Sequence, residues 1–127
     1  MQKFDSDPER RFAVILENDP DVQKWCRPNK SDLHIYHTPN EQYEPDFVVE
    51  ATHCKYLCEP KRADQINSEE VQAKAKAAAT WCAHATEHAA ASGGKPWKYL
   101  LIPHDAIAEQ MTLKGLEGEC ASFGRAQ

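Results

Sequence analysis

The sequence predicts an α/β fold, a mixed four-stranded sheet flanked by helices in the order α-β-β-β-α-β-α, and three observations carry that expectation. Short runs of strand character occur at Leu33–His37, Phe47–Val49, Lys55–Lys61 and Trp97–Ile102. A long stretch with small and apolar residues three or four apart separates the last two runs, the spacing of one face of a helix. A helix between two strands of one sheet implies a right-handed crossover, hence parallel pairing there and helices on both faces.

Taken in order, Ser6-Asp7-Pro8-Glu9 offers a cap, a first-turn proline and a candidate capping box, and Phe12, Ile15 and Leu16 follow at helical spacing, so the first helix is expected over about 7–18. Asn18-Asp19-Pro20-Asp21 breaks it, and Val22 with Trp25 is expected to add one more turn before Arg27-Pro28-Asn29-Lys30 turns the chain. Leu33–His37 alternates apolar and polar residues and reads as a strand, followed by a loop at Thr38-Pro39-Asn40-Glu41. With Phe47–Val49 and Lys55–Lys61 it is expected to form an antiparallel meander. Ser68 caps a long helix to about Ala91, with Glu69 and Glu70 where the helix dipole favours acids and a stripe of Val71, Ala75, Ala78, Cys82, Ala85 and Ala89. Ser92-Gly93-Gly94 ends it. Trp97–Ile102 reads as a central strand closed by Pro103, and Asp105 as the cap of a last helix with Ile107, Met111, Leu113 and Leu116.

A chain of 127 residues suits one domain, with a core over about 7–116 and a loosely ordered tail over 117–127. With 41% hydrophobic and 28% charged residues, it lies outside the regime that stays disordered. No apolar run reaches membrane-spanning length and the first residues lack a signal-peptide core, so a cytoplasmic protein with no membrane partner is expected. Five cysteines without a CxxC pair point to reduced thiols. A net charge of -5 excludes a binder that relies on bulk positive charge to hold nucleic acid.

The chemistry concentrates in YEPDFVVEATHCKYLCEPK, Tyr43 to Lys61. Strand side chains alternate, so Glu59 and Lys61 share a face, and a hairpin-like connection would bring Asp46 beside Glu59. Two converging carboxylates repel, and a divalent cation relieves the repulsion; hard oxygen donors suit Mg2+ or Mn2+. An adjacent ammonium can offset charge on a phosphate oxygen, a combination that fits phosphodiester hydrolysis.

Pro45-Asp46, a gap of twelve residues and Glu59-Pro60-Lys61 resemble the PD-(D/E)xK nuclease signature, and the element order is similar to the restriction-endonuclease-like core of that superfamily. YEPDFVV, CEPK, VQAKAKAAATWC and GKPWKYLLIPHDAI together resemble the nuclease domain that follows the helicase motor in type III restriction enzyme Res-like proteins, over roughly Glu9 to Leu116. The resemblance implies a magnesium-dependent endonuclease acting on DNA, with Asp46 and Glu59 as metal ligands, Lys61 as the catalytic lysine, Glu9 as the first-helix glutamate that often joins such sites, and a helicase or translocase domain or subunit as partner. Pro60 departs from a regular central strand and is expected at a bulge or among the strand's final residues. No GxxxxGK[ST] loop occurs, so ATP chemistry is not expected from this chain.

Other readings compete. Asp46, Glu59 and Lys61 make an ordinary salt-bridge cluster if no ligand binds, and Glu9 is also explained by a capping box. Cys54 and Cys58 lie about 13 Å apart on a regular strand, too far for one zinc ion. His84 and His88, one helical turn apart, read as exposed helix residues; His104-Asp105 reads as a helix cap with a neighbouring histidine; Lys74 and Lys76 are solvated or meet phosphate. Two further functions remain in view: a catalytically silent module that docks DNA or a helicase complex, and a metal phosphohydrolase acting on a small nucleotide.

Overall fold

Asp7–Asn18 forms the first helix, α1, and buries Phe12, Ala13, Ile15 and Leu16, the recurrence that the sequence pattern specifies. The computed structural model describes residues 7–28, 35–38, 41–43, 45–107, 112–119 and 122–123. After α1 come strands β1 (Val22–Cys26), β2 (Ile35–Thr38), β3 (Glu41–Tyr43), β4 (Phe47–Ala51) and β5 (Lys55–Lys61), helix α2 (Glu69–Ala91), strand β6 (Trp97–Pro103), helix α3 (Leu113–Glu119) and strand β7 (Ser122–Phe123). Single 3-10 turns occupy Ala63–Gln65 and His104–Ala106.

One mixed sheet has the order β1-β4-β5-β6-β7. β4 and β5 pair antiparallel from Phe47 opposite Cys58 to Glu50 opposite Lys55, joined by a connection of only Thr52 to Cys54. β5 and β6 pair in parallel without a register shift from Lys55 opposite Trp97 to Lys61 opposite Pro103, and α2 makes the crossover between them. Ser68 accepts the N–H of Val71, so α2 begins where the sequence places its cap. The helix ends on Gly93 at φ 79, left-handed backbone that glycine adopts without Cβ strain.

Strand alternation sorts side chains into two cores. Phe47, Val49, Tyr56, Cys58, Leu100 and Ile102 pack with α1 and α3 on one face. Leu57, Tyr99 and Leu101 pack with Val71, Ala75, Ala78 and Cys82 of α2 on the other. Full burial of Phe47, Leu57 or Leu100 contributes about 1.5–3 kcal/mol each, enough to hold β4, β5 and β6 in fixed register beneath whatever projects from their ends.

Several expectations are corrected. The mixed sheet with helices is as expected, but among the described residues it has five strands where four were expected, the fifth being the two-residue β7. The strand expected over Leu33–His37 does not join it: Ile35–Thr38 pairs with Glu41–Tyr43 in a separate two-stranded ribbon, while Leu33, His34, Pro39 and Asn40 lie outside the described residues. The meander's outer strand is Val22–Cys26, in place of the extra helical turn; it pairs antiparallel with β4, from Val22 opposite Ala51 to Cys26 opposite Val48. Backbone pairing to β4 outweighs the helical spacing of Val22 and Trp25. Asp105 sits in a 3-10 turn and caps no last helix; α3 starts at Leu113, whose N–H is accepted by Asp19 Oδ2 at 2.9 Å. Met111 falls outside the described residues. In the expected tail, α3 runs on to Glu119 and Ser122–Phe123 adds a short strand antiparallel to β6. Pro60 lies among the final residues of β5, opposite Ile102 and beyond the last pair with β4, so its missing N–H falls outside that ladder.

Candidate functional site: acids and cations at the end of the sheet

The β4–β5 register, extended one residue past Phe47 and Cys58, sets Asp46 opposite Glu59. The two acids meet there: the Asp46 backbone N–H donates to Glu59 Oε1 at 3.2 Å. Glu59 is a charged residue only 8% exposed, held at the carboxyl end of β5 between two strands of the core. Lys61, two residues on and therefore on the same face, brings Nζ to 3.9 Å from Glu59 Oε2.

α1 delivers the fourth residue. Glu9, in its first turn and 8% exposed, hydrogen-bonds the Asp46 side chain. Arg27, immediately after β1, places Nη2 3.6 Å from Glu9 Oε2 and its guanidinium carbon 5.5 Å from the centre of the Phe47 ring. Glu9, Asp46, Glu59 and Lys61 thus come from three parts of the chain to one end of the sheet, although 37 residues separate Glu9 from Asp46.

Burial, the facing Glu59 carboxylate and the hydrogen bond with Glu9 together push Asp46 from its ordinary 3.8 up to about 8, with Arg27 opposing. Two carboxyl groups can share a hydrogen bond only when one carries a proton, so the cluster stays protonated near neutrality to limit its own repulsion. Among the described residues, no group of three or more Asp, Glu, His or Cys side chains stands in an arrangement that could hold a metal ion. The donor set is of the kind a hard divalent cation takes, carboxylate oxygens and no thiolate, and such an ion would have to displace the proton that Asp46 retains.

The sequence does not mark Arg27 or His104 as site residues. Arg27 gains its role only through the pairing of β1 with β4. His104 follows Pro103, which is opposite Lys61, and it interacts electrostatically with Glu9, Arg11, Lys61 and Arg62. The zinc candidates do not gather: Cys54 and Cys82 are buried, and burial pushes both thiols up, Cys82 to about 12, away from the thiolate that binds metal. His84 and His88 are exposed on α2. A groove of about 820 Å³ between α1 and β1, lined by Val14, Leu16, Val22 and Trp25 among others, contains none of the four candidate residues.

No helix among the described residues is long and apolar enough to cross a membrane. No family model, curated protein or solved structure matches the chain.

Proposed function

We propose that this chain is a metal-dependent nuclease domain of PD-(D/E)xK type that hydrolyses DNA phosphodiester bonds. The observation that carries the reading is the contact of Asp46 with Glu59, with Lys61 Nζ 3.9 Å from Glu59 Oε2, at the carboxyl ends of the parallel strands β5 and β6. Open α/β sheets commonly bind ligands at such strand ends.

Asp46 and Glu59 are the residues that would hold Mg2+ or Mn2+. When bound, the ion supplies Lewis acidity toward the phosphoryl group and lowers the pKa of the attacking water. Lys61 keeps an ammonium beside the carboxylates, where it offsets negative charge that builds on a phosphate oxygen as water attacks phosphorus and the P–O bond breaks. Glu9 adds a third acid, and its ion pair with Arg27 keeps it turned toward Asp46. The net charge of -5 fits a domain brought to DNA by a helicase or translocase, the partner that the sequence resemblance implies.

Incubation of supercoiled plasmid with the protein and Mg2+ or Mn2+ tests this. Nicking that disappears in Asp46→Ala and Glu59→Ala is expected; equal nicking by Asp46→Ala and the parent chain removes the assignment.

A second reading has its own support. The acids are already compensated within the chain, Glu9 by Arg27, Glu59 by Lys61 and Asp46 by its proton, which suits a catalytically silent module that docks DNA or a helicase complex. Calorimetric titration with Mn2+ separates the two: saturable heat that depends on Asp46 and Glu59 supports the nuclease, and its absence supports the silent module.

A further inference from the structure

The carboxylate cluster is bordered by positive groups that its own ion pairs do not use up. The parallel register puts Pro103 opposite Lys61, so His104 begins where β5 delivers Lys61 and Arg62. The 3-10 turn that carries His104 closes with the Ile107 N–H on the His104 carbonyl at 3.2 Å, and Arg11 Nε donates to the Ile107 carbonyl at 3.2 Å. Arg11 of α1, His104 of the turn and Lys61-Arg62 at the end of β5 therefore form one rim. Burial, together with the cations Arg11, Lys61 and Arg62, holds His104 below the usual histidine range, against the pull of Glu9. Arg62 has Asp64 at 2.7 Å, but both side chains are more than 60% exposed, and such pairs contribute little and exchange readily.

We propose that Arg11, His104 and Arg62 form a phosphate-binding rim that seats the nucleic-acid backbone next to the carboxylate cluster, with Lys61 facing inward from it. The inference rests on the nuclease reading for its ligand. It explains how an acidic chain holds a polyanion: Arg11 and Arg62 supply locally the positive charge that the net charge does not, and His104, held below its usual range, adds hydrogen bonding rather than charge. The rim meets phosphates, so it confers register on the strand and carries no base preference.

The test is fluorescence anisotropy of a short fluorescein-labelled DNA duplex with the 127-residue protein in Ca2+ buffer across a salt series. Removing one cation from the phosphate backbone should make the slope of log affinity against log salt shallower by about 1, so Arg62→Ala is expected to lower it by about 1 and Arg11→Gln/Arg62→Ala by about 2. His104→Ala should weaken binding severalfold at every salt concentration and leave the slope unchanged, since the imidazole contributes hydrogen bonding and not charge. Lys24→Ala, on the edge strand β1 with its side chain 79% exposed beside Glu50, is the control and should leave the slope unchanged. Undetectable binding by the parent chain, slopes unaltered by the Arg62 and Arg11 substitutions, or an equal change in Lys24→Ala would overturn the rim. Arg62 is exposed, so Arg62→Ala serves as the variant least able to disturb folding. A rim-dependent slope without any plasmid nicking leaves the rim standing and removes the nuclease reading; nicking with rim-independent binding does the reverse.

Discussion

The backbone N–H of Asp46 points at Oε1 of Glu59, 3.2 Å away, so the main chain of one acid orients the side chain of the other. Glu59→Gln keeps an oxygen in that position and should fold with a melting temperature within a few degrees of the parent. Saturable Mn2+ binding should disappear, because a neutral amide is a far weaker ligand than a carboxylate. Glu59→Ala leaves the N–H without its acceptor and should cost about 1–3 kcal/mol in urea denaturation. Undiminished Mn2+ binding by Glu59→Gln would remove Glu59 from the ligand set.

Asp46 carries a pH signature. Folded, it holds its proton to about pH 8; unfolded, it releases it near 3.8. Between those values the unfolded chain binds fewer protons, so the stabilising contribution is complete below pH 3.8 and is lost as pH rises through about 8. Asp46→Asn removes that slope. In EDTA, the melting temperature of Asp46→Asn should exceed that of the parent by about 4 °C or more at pH 8 and match it near pH 4. A parent chain equally stable at both values relative to the variant would refute the raised acidity.

Arg27 is the cation that the acids share. It pairs with Glu9 at 3.6 Å and opposes the upward shift of Asp46, so Arg27→Met should leave both acids less well compensated. The expected cost is about 1–3 kcal/mol in urea denaturation, with the Asp46 carboxyl resonance titrating at still higher pH in NMR. A variant as stable as the parent would show that the pair is incidental.

At the opposite end of the sheet, Lys95 Nζ donates to Gln23 Oε1 at 2.9 Å, Glu50 Oε2 at 2.7 Å and the Ala51 carbonyl at 2.9 Å, tying the lead-in of β6 to β1 and β4. Lys95→Met should lower the urea midpoint measurably, since three acceptors share that one ammonium. Mn2+ affinity at the far end should be unchanged once the protein is folded. Calorimetry at a temperature well below the unfolding transition checks this, and a weakened Mn2+ isotherm would contradict the separation of the two ends.

Local chemistry makes much of this readable in advance. α1 and α2 announce themselves through Asp7-Pro8, the Ser68 cap and apolar residues three and four apart, and Asp46, Glu59 and Lys61 through the two-residue alternation of strands. β1 is not readable. Gln23, Lys24 and Cys26 of this edge strand are exposed, so neither alternation nor an apolar run marks it, and only its hydrogen bonds to β4 make it a strand. Arg27 follows from the same cause, because nothing near it in sequence shows that β1 ends beside Phe47. The separate ribbon of β2 and β3 likewise reflects pairing choices that the pattern of Leu33–His37 leaves undetermined.

Pro60 stands between the two charged groups of its strand, opposite Ile102. Its ring fixes its own φ and biases the preceding residue, Glu59, toward extended backbone. The segment is therefore already splinted before the sheet assembles, with Glu59 and Lys61 on the same side of a stiff tripeptide. Loosening the surrounding loops, by heat or by mutation, would blur the positions of Glu9 and Arg27 well before it disturbed the alignment of that acid and that amine.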